Sequence, residues 1–377
     1  MSDKKKPLSI LLVIDSLGSG GAQRQMVWLA IGLAKRGHDV SLFTYNPKID
    51  HFKRELDDNN IEVLEADKRY RFDIRPVLVL RRIIATRRFN CVISFMDTPN
   101  IYTVLASRGN RHTKVLVSER FIFPDGRLTI GVWLRYQFYR FADIVTVNSY
   151  HQRDRILDAF PWSQRKLHAI WNGVDLSKYA PVRQHDDSKQ VNIRLIAVAT
   201  VVEWKNAYNL IKALALSKAE GAKYVIDWAG RIPQTKTGRK EYERCQKLID
   251  ELDLRDEWHW LGVCEDMHRL YPTYNALVHP SFKEGLPNAI CEALATGLPV
   301  IAGDVCDHPV LIQDSVSGFL FDPADPQSIA NALLKFSRQS DAERSEMSRE
   351  ARRTAETRLG FDTLVDEYIR VVYDCCS

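Results

Sequence analysis

Two glutamates eight positions apart, Glu284 and Glu292, punctuate the stretch from His279 to Gly303, which reads as a loop, a short helix and a buried strand. If every step between them were helical, the rise would be roughly 12 Å at about 1.5 Å per residue. That matches the reach of a nucleotide diphosphate between its ribose and whatever the diphosphate carries. Pro287 suits a first helical position, where a missing N–H costs nothing. Ala289, Ile290, Ala293 and Leu294 supply an apolar face, Gly297 caps the C-terminus, Pro299 stops the helix, and Val300 and Ile301 enter the strand. The N–H groups of Asn288 and Ala289 then lie between the carboxylates, at a helix N-terminus suited to phosphate. The plainer alternative is an ordinary helix with two surface glutamates.

Three further groups could join such a site. Lys205, in ATVVEWKN, follows an apolar strand and could neutralise a phosphate, or be a surface lysine. The loop Gly18–Gly21 lies between a strand and a helix, so its backbone can approach a ligand, or simply turn tightly. It lacks the G-K-[ST] of a P-loop, and Gln23 stands where a dinucleotide fingerprint has its third glycine. SERF, Ser118–Phe121, ends another strand, so Glu119 and Arg120 either face the same cleft or pair with each other. The histidines are scattered without a metal-ligand spacing, so no metal and no cofactor is expected. No G-x-S-x-G elbow supports a hydrolase.

The elements that must hold these residues alternate. Strands are expected at Ser9–Asp15, Asp39–Tyr45, Ile61–Leu64, Cys91–Phe95, Val115–Ser118, Ile144–Asn148 and Lys166–Ile170, with a helix at Gln23–Arg36. A polar stretch at Pro181–Gln190 reads as a linker. A second series then runs through strands at Arg194–Ala199, Tyr224–Ala229, Trp258–Leu261, Ala276–Val278 and Gly318–Phe321, with helices at Asn209–Ser217 and Glu241–Leu252. Helices at Ser328–Phe336, Glu343–Thr357 and Thr363–Tyr373 close the chain. This βαβ rhythm implies an α/β protein of two doubly wound parallel sheets, with ligands outside the strand carboxyl ends and a cleft between the domains. The domains are placed at residues 1–180 and 191–357, and 358–377 is a helix returning to the first domain.

The chain has 377 residues, 45% hydrophobic and 27% charged, normal for a soluble globular protein. No apolar run reaches the ~18 residues of a membrane span, and the six-residue run after the N-terminal lysines is a strand rather than a signal peptide. Seven scattered cysteines without C-x-x-C spacing fit a reduced cytoplasmic setting, and Cys375–Cys376 reads as an exposed tail or, less simply, a lipidation site. The net charge of +5 hides an asymmetry: residues 1–180 hold 29 Lys/Arg against 18 Asp/Glu (+11), and residues 181–377 hold 24 against 30 (−6). The densest basic stretch, Lys68–Phe89, has Val77, Leu78, Leu80, Ile83 and Ile84 at helical spacing between arginines. It is either a solvated helix on a sheet or a contact for an anionic membrane surface; without a binding motif, nucleic acid is disfavoured.

Taken together, these blocks resemble the retaining GT-B glycosyltransferases of the bacterial group 1 family over nearly the whole chain. GGAQR at Gly20–Arg24, SER at 118–120 and NGVD at 172–175 are similar to family blocks of the first domain. VATVVEWKN, WAG at 228–230, WLG at 260–262, the E-x7-E region with its flanks, and SGFLFDPADPQSIANAL resemble the second domain more specifically.

The resemblance implies transfer of a hexose or N-acetylhexosamine from a nucleotide-diphosphate sugar, UDP before GDP, with retained anomeric configuration. Lys205 would contact the diphosphate and Glu292 the ribose hydroxyls. Glu284, with Gly285, Leu286, Pro287 and Asn288, would hold the donor sugar and phosphates, while Gly20 and Gly21 would let the first domain close on the diphosphate. Retention could proceed by front-face attack or through a glycosyl–Glu284 intermediate. The chain departs from the family at Thr200, where an arginine is usual; Arg120 would compensate from the other domain. CDHPV stands for G-G-x-P-E, and SERF where many members carry a histidine. The expected enzyme builds a cell-surface glycan such as O-antigen, capsule or lipopolysaccharide on a polyprenyl-diphosphate-linked acceptor. It would be cytoplasmic and peripheral on the inner membrane face. A UDP-sugar 2-epimerase on the same fold, or a non-catalytic nucleotide-sugar-binding or scaffold partner, remain the alternatives.

Overall fold

The structure is a computed structural model describing residues 6–70, 73–124, 126–181 and 193–376. The linker expected at 181–190 lies outside the described residues except for Pro181. Contacts divide the chain into unit 1, Met1–Gly173 with Phe361–Ser377, and unit 2, Val174–Gly360. The boundary therefore precedes residue 180, because Val174 bridges to Gly360 and its N–H bonds the Leu359 carbonyl, fixing it in unit 2.

Unit 1 is a seven-stranded parallel sheet of β1 (Ser9–Ile14), β2 (Asp39–Thr44), β3 (Glu62–Glu65), β4 (Cys91–Phe95), β5 (Lys114–Glu119), β6 (Ile144–Val147) and β7 (Leu167–Ala169), ordered β3-β2-β1-β4-β5-β6-β7. Strand order reverses between β1 and β4, the kind of point where doubly wound sheets bind ligands. Successive side chains of β1 go to opposite faces. Ile10, Leu12 and Ile14 meet Met26, Leu29 and Leu33 of the helix Gly21–Lys35, while Leu11 and Val13 meet Leu80 and Ile84 of the helix Arg75–Arg87. The run is apolar throughout because both faces are covered.

The terminal helix Phe361–Cys376 sends Leu364, Val365, Tyr368, Val371 and Val372 into the core of unit 1. Gly32 makes room for it: a Cβ there would lie 2.4 Å from Val365 Cγ2 and 2.8 Å from Phe361 Cζ. Cys375 belongs to this helix and packs at the same core, so it is no exposed tail.

Unit 2 is a six-stranded parallel sheet of β8 (Ile193–Val198), β9 (Tyr224–Ala229), β10 (Trp258–Gly262), β11 (Ala276–His279), β12 (Val300–Gly303) and β13 (Gly318–Phe321), ordered β10-β9-β8-β11-β12-β13. Its reversal falls between β8 and β11, the strands that lead into Lys205 and Glu284. Among the described residues no helix is long and apolar enough to cross a membrane.

Candidate active site

Past β8 the chain makes a single 3-10 turn, Glu203–Lys205, closed by Asn206 in the left-handed region at φ 62°. Asparagine tolerates that conformation better than most residues. The buried Asn206 amide donates to the carbonyls of Pro280 (2.9 Å) and Pro323 (2.8 Å), and Phe282 N–H donates to the Trp204 carbonyl (2.9 Å). These bonds stitch the Lys205 turn to the loops after β11 and β13. Lys205 Nζ consequently reaches Glu284 Oε1 as an ion pair. The sequence alone assigns Asn206 no role; its place directly after the lysine is the available signal.

Glu284 is 7% exposed and has a second partner, His279 Nε2 at 2.9 Å, with Ser281 Oγ 3.2 Å from the same nitrogen. Burial works against the carboxylate, but the His279 hydrogen bond and the Lys205 charge outweigh it and hold Glu284 below the usual carboxylate range. Burial lowers the His279 pKa, so we assign a neutral ring donating Nε2–H to Glu284 and the full positive charge to Lys205. His308 is also buried, its ring 5.5 Å from that of His279. Its Nδ1–H donates to the Gly303 carbonyl at 2.8 Å, burial is the leading cause that takes its pKa down to about 4, and its Nε2 has no hydrogen-bond partner among the described residues.

The helix behind this cluster runs Asn288–Ala295. Pro287 is its N-cap rather than its first residue: its ψ of 117° is extended, and its carbonyl accepts the first helical bond from Cys291 N–H at 3.3 Å. Glu284 thus lies outside the helix, so the 12 Å rise does not apply; only the four steps from Asn288 to Glu292 rise helically, about 6 Å. The helix closes as expected. Gly297, at φ 71°, donates to Leu294 and Leu298 to Ala293, a Schellman arrangement. Glu292 is buried mid-helix and accepts from Tyr271 Oη at 3.3 Å. Gly285 and Asn288 are half-buried, while Leu286 and Pro287 are buried.

Thr200 is half-buried just beyond β8. Gly230, at the end of WAG, lets the strands close there: a Cβ on it would stand 1.8 Å from the Ala199 carbonyl oxygen. Cys306, which takes the place of the first glycine of G-G-x-P-E, sits at φ 53° with Sγ 3.4 Å from Glu284 N. The loop keeps the glycine conformation without the glycine, at a cost in backbone strain.

In unit 1 the outcome differs from the sequence expectation. Gly20 is the N-cap of the first helix at φ −72°, and Gly21 its first residue, so neither needs a glycine backbone. The space before Gly20 is filled by Gln23, whose Nε2 donates to Asp15 Oδ1 at 3.0 Å and approaches Met96 Sδ at 3.7 Å. Glu119 is 2% exposed; it takes Arg135 (3.1 Å), shared with Asp97, and the Tyr139 hydroxyl (3.3 Å). Arg120 bonds Asn172 Oδ1 (2.6 Å) and the Tyr368 hydroxyl (2.8 Å) and lies 3.9 Å over the Phe95 ring. These contacts make Arg120 the seat of the terminal helix within unit 1. They leave the role of compensating for Thr200 without support.

Asp97 follows Met96, which is held at φ 80°, ψ 161°, a region nearly confined to glycine. Burial raises the pKa of Asp97, with Arg135 opposing, and its Oδ1 has no hydrogen-bond partner among the described residues. Asp15, Gln23 and Asp97 therefore gather at the reversal point of the first sheet, and sequence reading singled out none of them for chemistry.

Residues 19–178 match the model of a family described as Glycosyltransferase Family 4, and residues 182–354 match that of Glycosyl transferases group 1. A GalNAc-alpha-(1->4)-GalNAc-alpha-(1->3)-diNAcBac-PP-undecaprenol alpha-1,4-N-acetyl-D-galactosaminyltransferase of Campylobacter jejuni is 26% identical over 86% of this chain and 88% of its own. A UDP-Gal:alpha-D-GlcNAc-diphosphoundecaprenol alpha-1,3-galactosyltransferase of Escherichia coli is 29% identical over 45% of each. Among solved structures, Anabaena HepE in complex with UDP superposes with a TM-score of 0.82 at 19% identity, over 97% of this chain and 100% of its own.

Proposed function

The chain belongs to the group 1 glycosyltransferases of GT-B fold, and from that premise we propose that it moves a sugar, with retained configuration, from a nucleotide diphosphate to a lipid-linked glycan. The observation that carries this reading is the cluster of half-buried Lys205 with buried Glu284 and His279 beside the N-terminus of the helix Asn288–Ala295. Lysine and helix N-terminus together suit a departing diphosphate, whose negative charge grows in the transition state. This chemistry asks for no metal. Glu284, anchored by two partners, faces the opposite charge that develops on the sugar ring. Front-face attack fits, with the leaving phosphate taking the acceptor proton. Glu292 takes the ribose hydroxyls, and Thr200 and residues 285–288 complete the donor site.

Unit 1 takes the acceptor. We assign that role to Asp15, Gln23 and Asp97 at its sheet reversal, and a fold-supporting one to Glu119 and Arg120. A hexose or N-acetylhexosamine on UDP, and a polyprenyl-diphosphate acceptor, follow the substrates named for the Campylobacter and Escherichia relatives. Such an acceptor would place the protein at the cytoplasmic membrane face during polysaccharide or lipopolysaccharide assembly. The test is sugar-nucleotide consumption with and without a lipid-linked glycan extract, across a panel of UDP- and GDP-sugars. Consumption that requires the extract, and fails with Glu284→Gln, supports transfer. Conversion of the UDP-sugar alone, or binding without turnover, rejects it.

A further inference from the structure

We propose that unit 1 carries a second binding site, for a phosphate-type oxyanion, at the end of the sheet where β4 and β5 begin. A cavity of about 470 Å³ lies there between the end of the helix Arg75–Arg87 and the segment 108–112. Arg81, Arg88, Arg108, Arg111 and His112 line it, all exposed, over a floor of buried Ile84 and Ala106. No carboxylate is among the lining residues. Elsewhere on this unit several arginines are paired with carboxylates: Arg36 with Asp362 and Asp366, Arg75 with Asp73, Arg87 with Glu62, Arg135 with Asp97 and Glu119. The four guanidinium groups of the cavity have no hydrogen bond or ion pair among the described residues; that of Arg108 lies 4.6 Å over the ring of Phe141, which is 58% exposed.

A simpler account is that these arginines complement helix C-termini, since Arg88 and Arg108 are the C-caps of two helices. Two such termini offer about −0.5 charge each. Against four guanidinium groups that leaves an excess of about +3, so the dipoles alone do not explain the cluster. Guanidinium forks match phosphate oxygens two at a time, and the cavity is within the ~300–1,000 Å³ range of ligand pockets. The shared chemistry is a phosphate or diphosphate group, supplied either as a free ion or as the headgroup of an anionic lipid. None of these residues belongs to the donor site, so the two readings stand or fall separately.

The test uses the full chain, with inorganic pyrophosphate by calorimetry at low salt and phosphatidylglycerol–phosphatidylcholine vesicles by co-sedimentation. Wild type is compared with Arg88→Gln/Arg111→Gln and with a charge-matched control, Lys35→Gln/Lys48→Gln, on the same unit. All four positions are exposed, so melting temperatures should stay equal; Arg81→Gln/Arg111→Gln is the second variant if they do not. The cavity variant should lose about tenfold affinity or more for at least one probe, and the control under about threefold. Loss confined to pyrophosphate identifies a free ion, loss confined to vesicles a lipid headgroup, and loss of both the shared chemistry. Binding of neither probe by wild type, or equal loss in the control, overturns the proposal.

Discussion

Lys205 and Glu284, 79 positions apart, form an ion pair whose second anchor on the carboxylate is the buried His279. Side-chain exposures of 18% and 8% make the pair expensive to break, because removing one partner strands the other's charge away from water. Either Lys205→Met or Glu284→Gln should destabilise unit 2 by about 3 kcal/mol, and the double variant by less than the sum. Chemical denaturation of the three variants reads this directly; additive losses would contradict the pairing. In turnover they should part company. Lys205→Met should raise the donor KM, whereas Glu284→Gln should chiefly lower kcat.

His308 gives the same region a pH dependence. Its folded pKa of about 4 lies below the ordinary 6.5, so below pH 6.5 the unfolded chain takes up a proton that the fold refuses. Stability is therefore complete above pH ~6.5 and falls as pH drops toward 4, by on the order of 3 kcal/mol for a shift of that size. Glu284 adds a loss of the same sign at lower pH, because its folded pKa is depressed and its stabilisation persists until it protonates. Melting temperatures measured from pH 7.5 to 4.5 should decline less steeply in His308→Gln. An unchanged slope would show that the ring does not resist protonation.

Gly230 tests how β8 and β9 shape the donor side. Its missing Cβ leaves room for the Ala199 carbonyl oxygen, which would otherwise be 1.8 Å away, and that oxygen accepts the Trp228 indole N–H at 2.7 Å. Backbone rather than a flexible side chain would have to move, so Gly230→Ala should cost more than about 3 kcal/mol. Thr200 adjoins the displaced carbonyl, so donor affinity should fall in whatever protein still folds. Normal donor titrations in a stable Gly230→Ala protein would remove Thr200 from the site.

Much of this was legible where the signal is local. Tyr224–Ala229 reads as a strand to the residue and the last strand falls where it is expected, near Gly318–Phe321, because both are mainly apolar runs of the kind buried in parallel sheets, Asp227 apart. The Schellman end at Gly297 likewise needs only a glycine at the right place. What escaped depends on residues far apart in the chain. Arg120 closes a strand and is as polar as a catalytic residue would be, but its partner Tyr368 stands 248 positions away. No window around SERF reveals that helix. Pro287 was displaced by one position because proline suits both an N-cap with extended ψ and a first helical turn. The CDHPV block reads as a departure from G-G-x-P-E, but the positive φ of Cys306 belongs to the loop rather than to the residue type.

The Arg120 network yields the prediction that separates support from catalysis. Tyr368 Oη accepts from Arg120 Nη2 at 2.8 Å and lies 3.4 Å from Ser118 Oγ and 3.3 Å from Thr146 Oγ1, inside the sheet of unit 1. Burial lowers the Arg120 pKa, with Tyr368 the leading influence that opposes it. Tyr368→Phe removes the acceptor and leaves the guanidinium with Asn172 and the Phe95 ring, which should cost about 1–3 kcal/mol. Arg120→Met should destabilise wild type yet cost less in the Tyr368→Phe background, where the charge has already lost its partner. Assayed well below its melting temperature, Arg120→Met should keep kcat/KM within about threefold of wild type, because the side chain would act only through the fold. A loss of a hundredfold or more in a fully folded Arg120→Met protein would instead return Arg120 to the reacting groups.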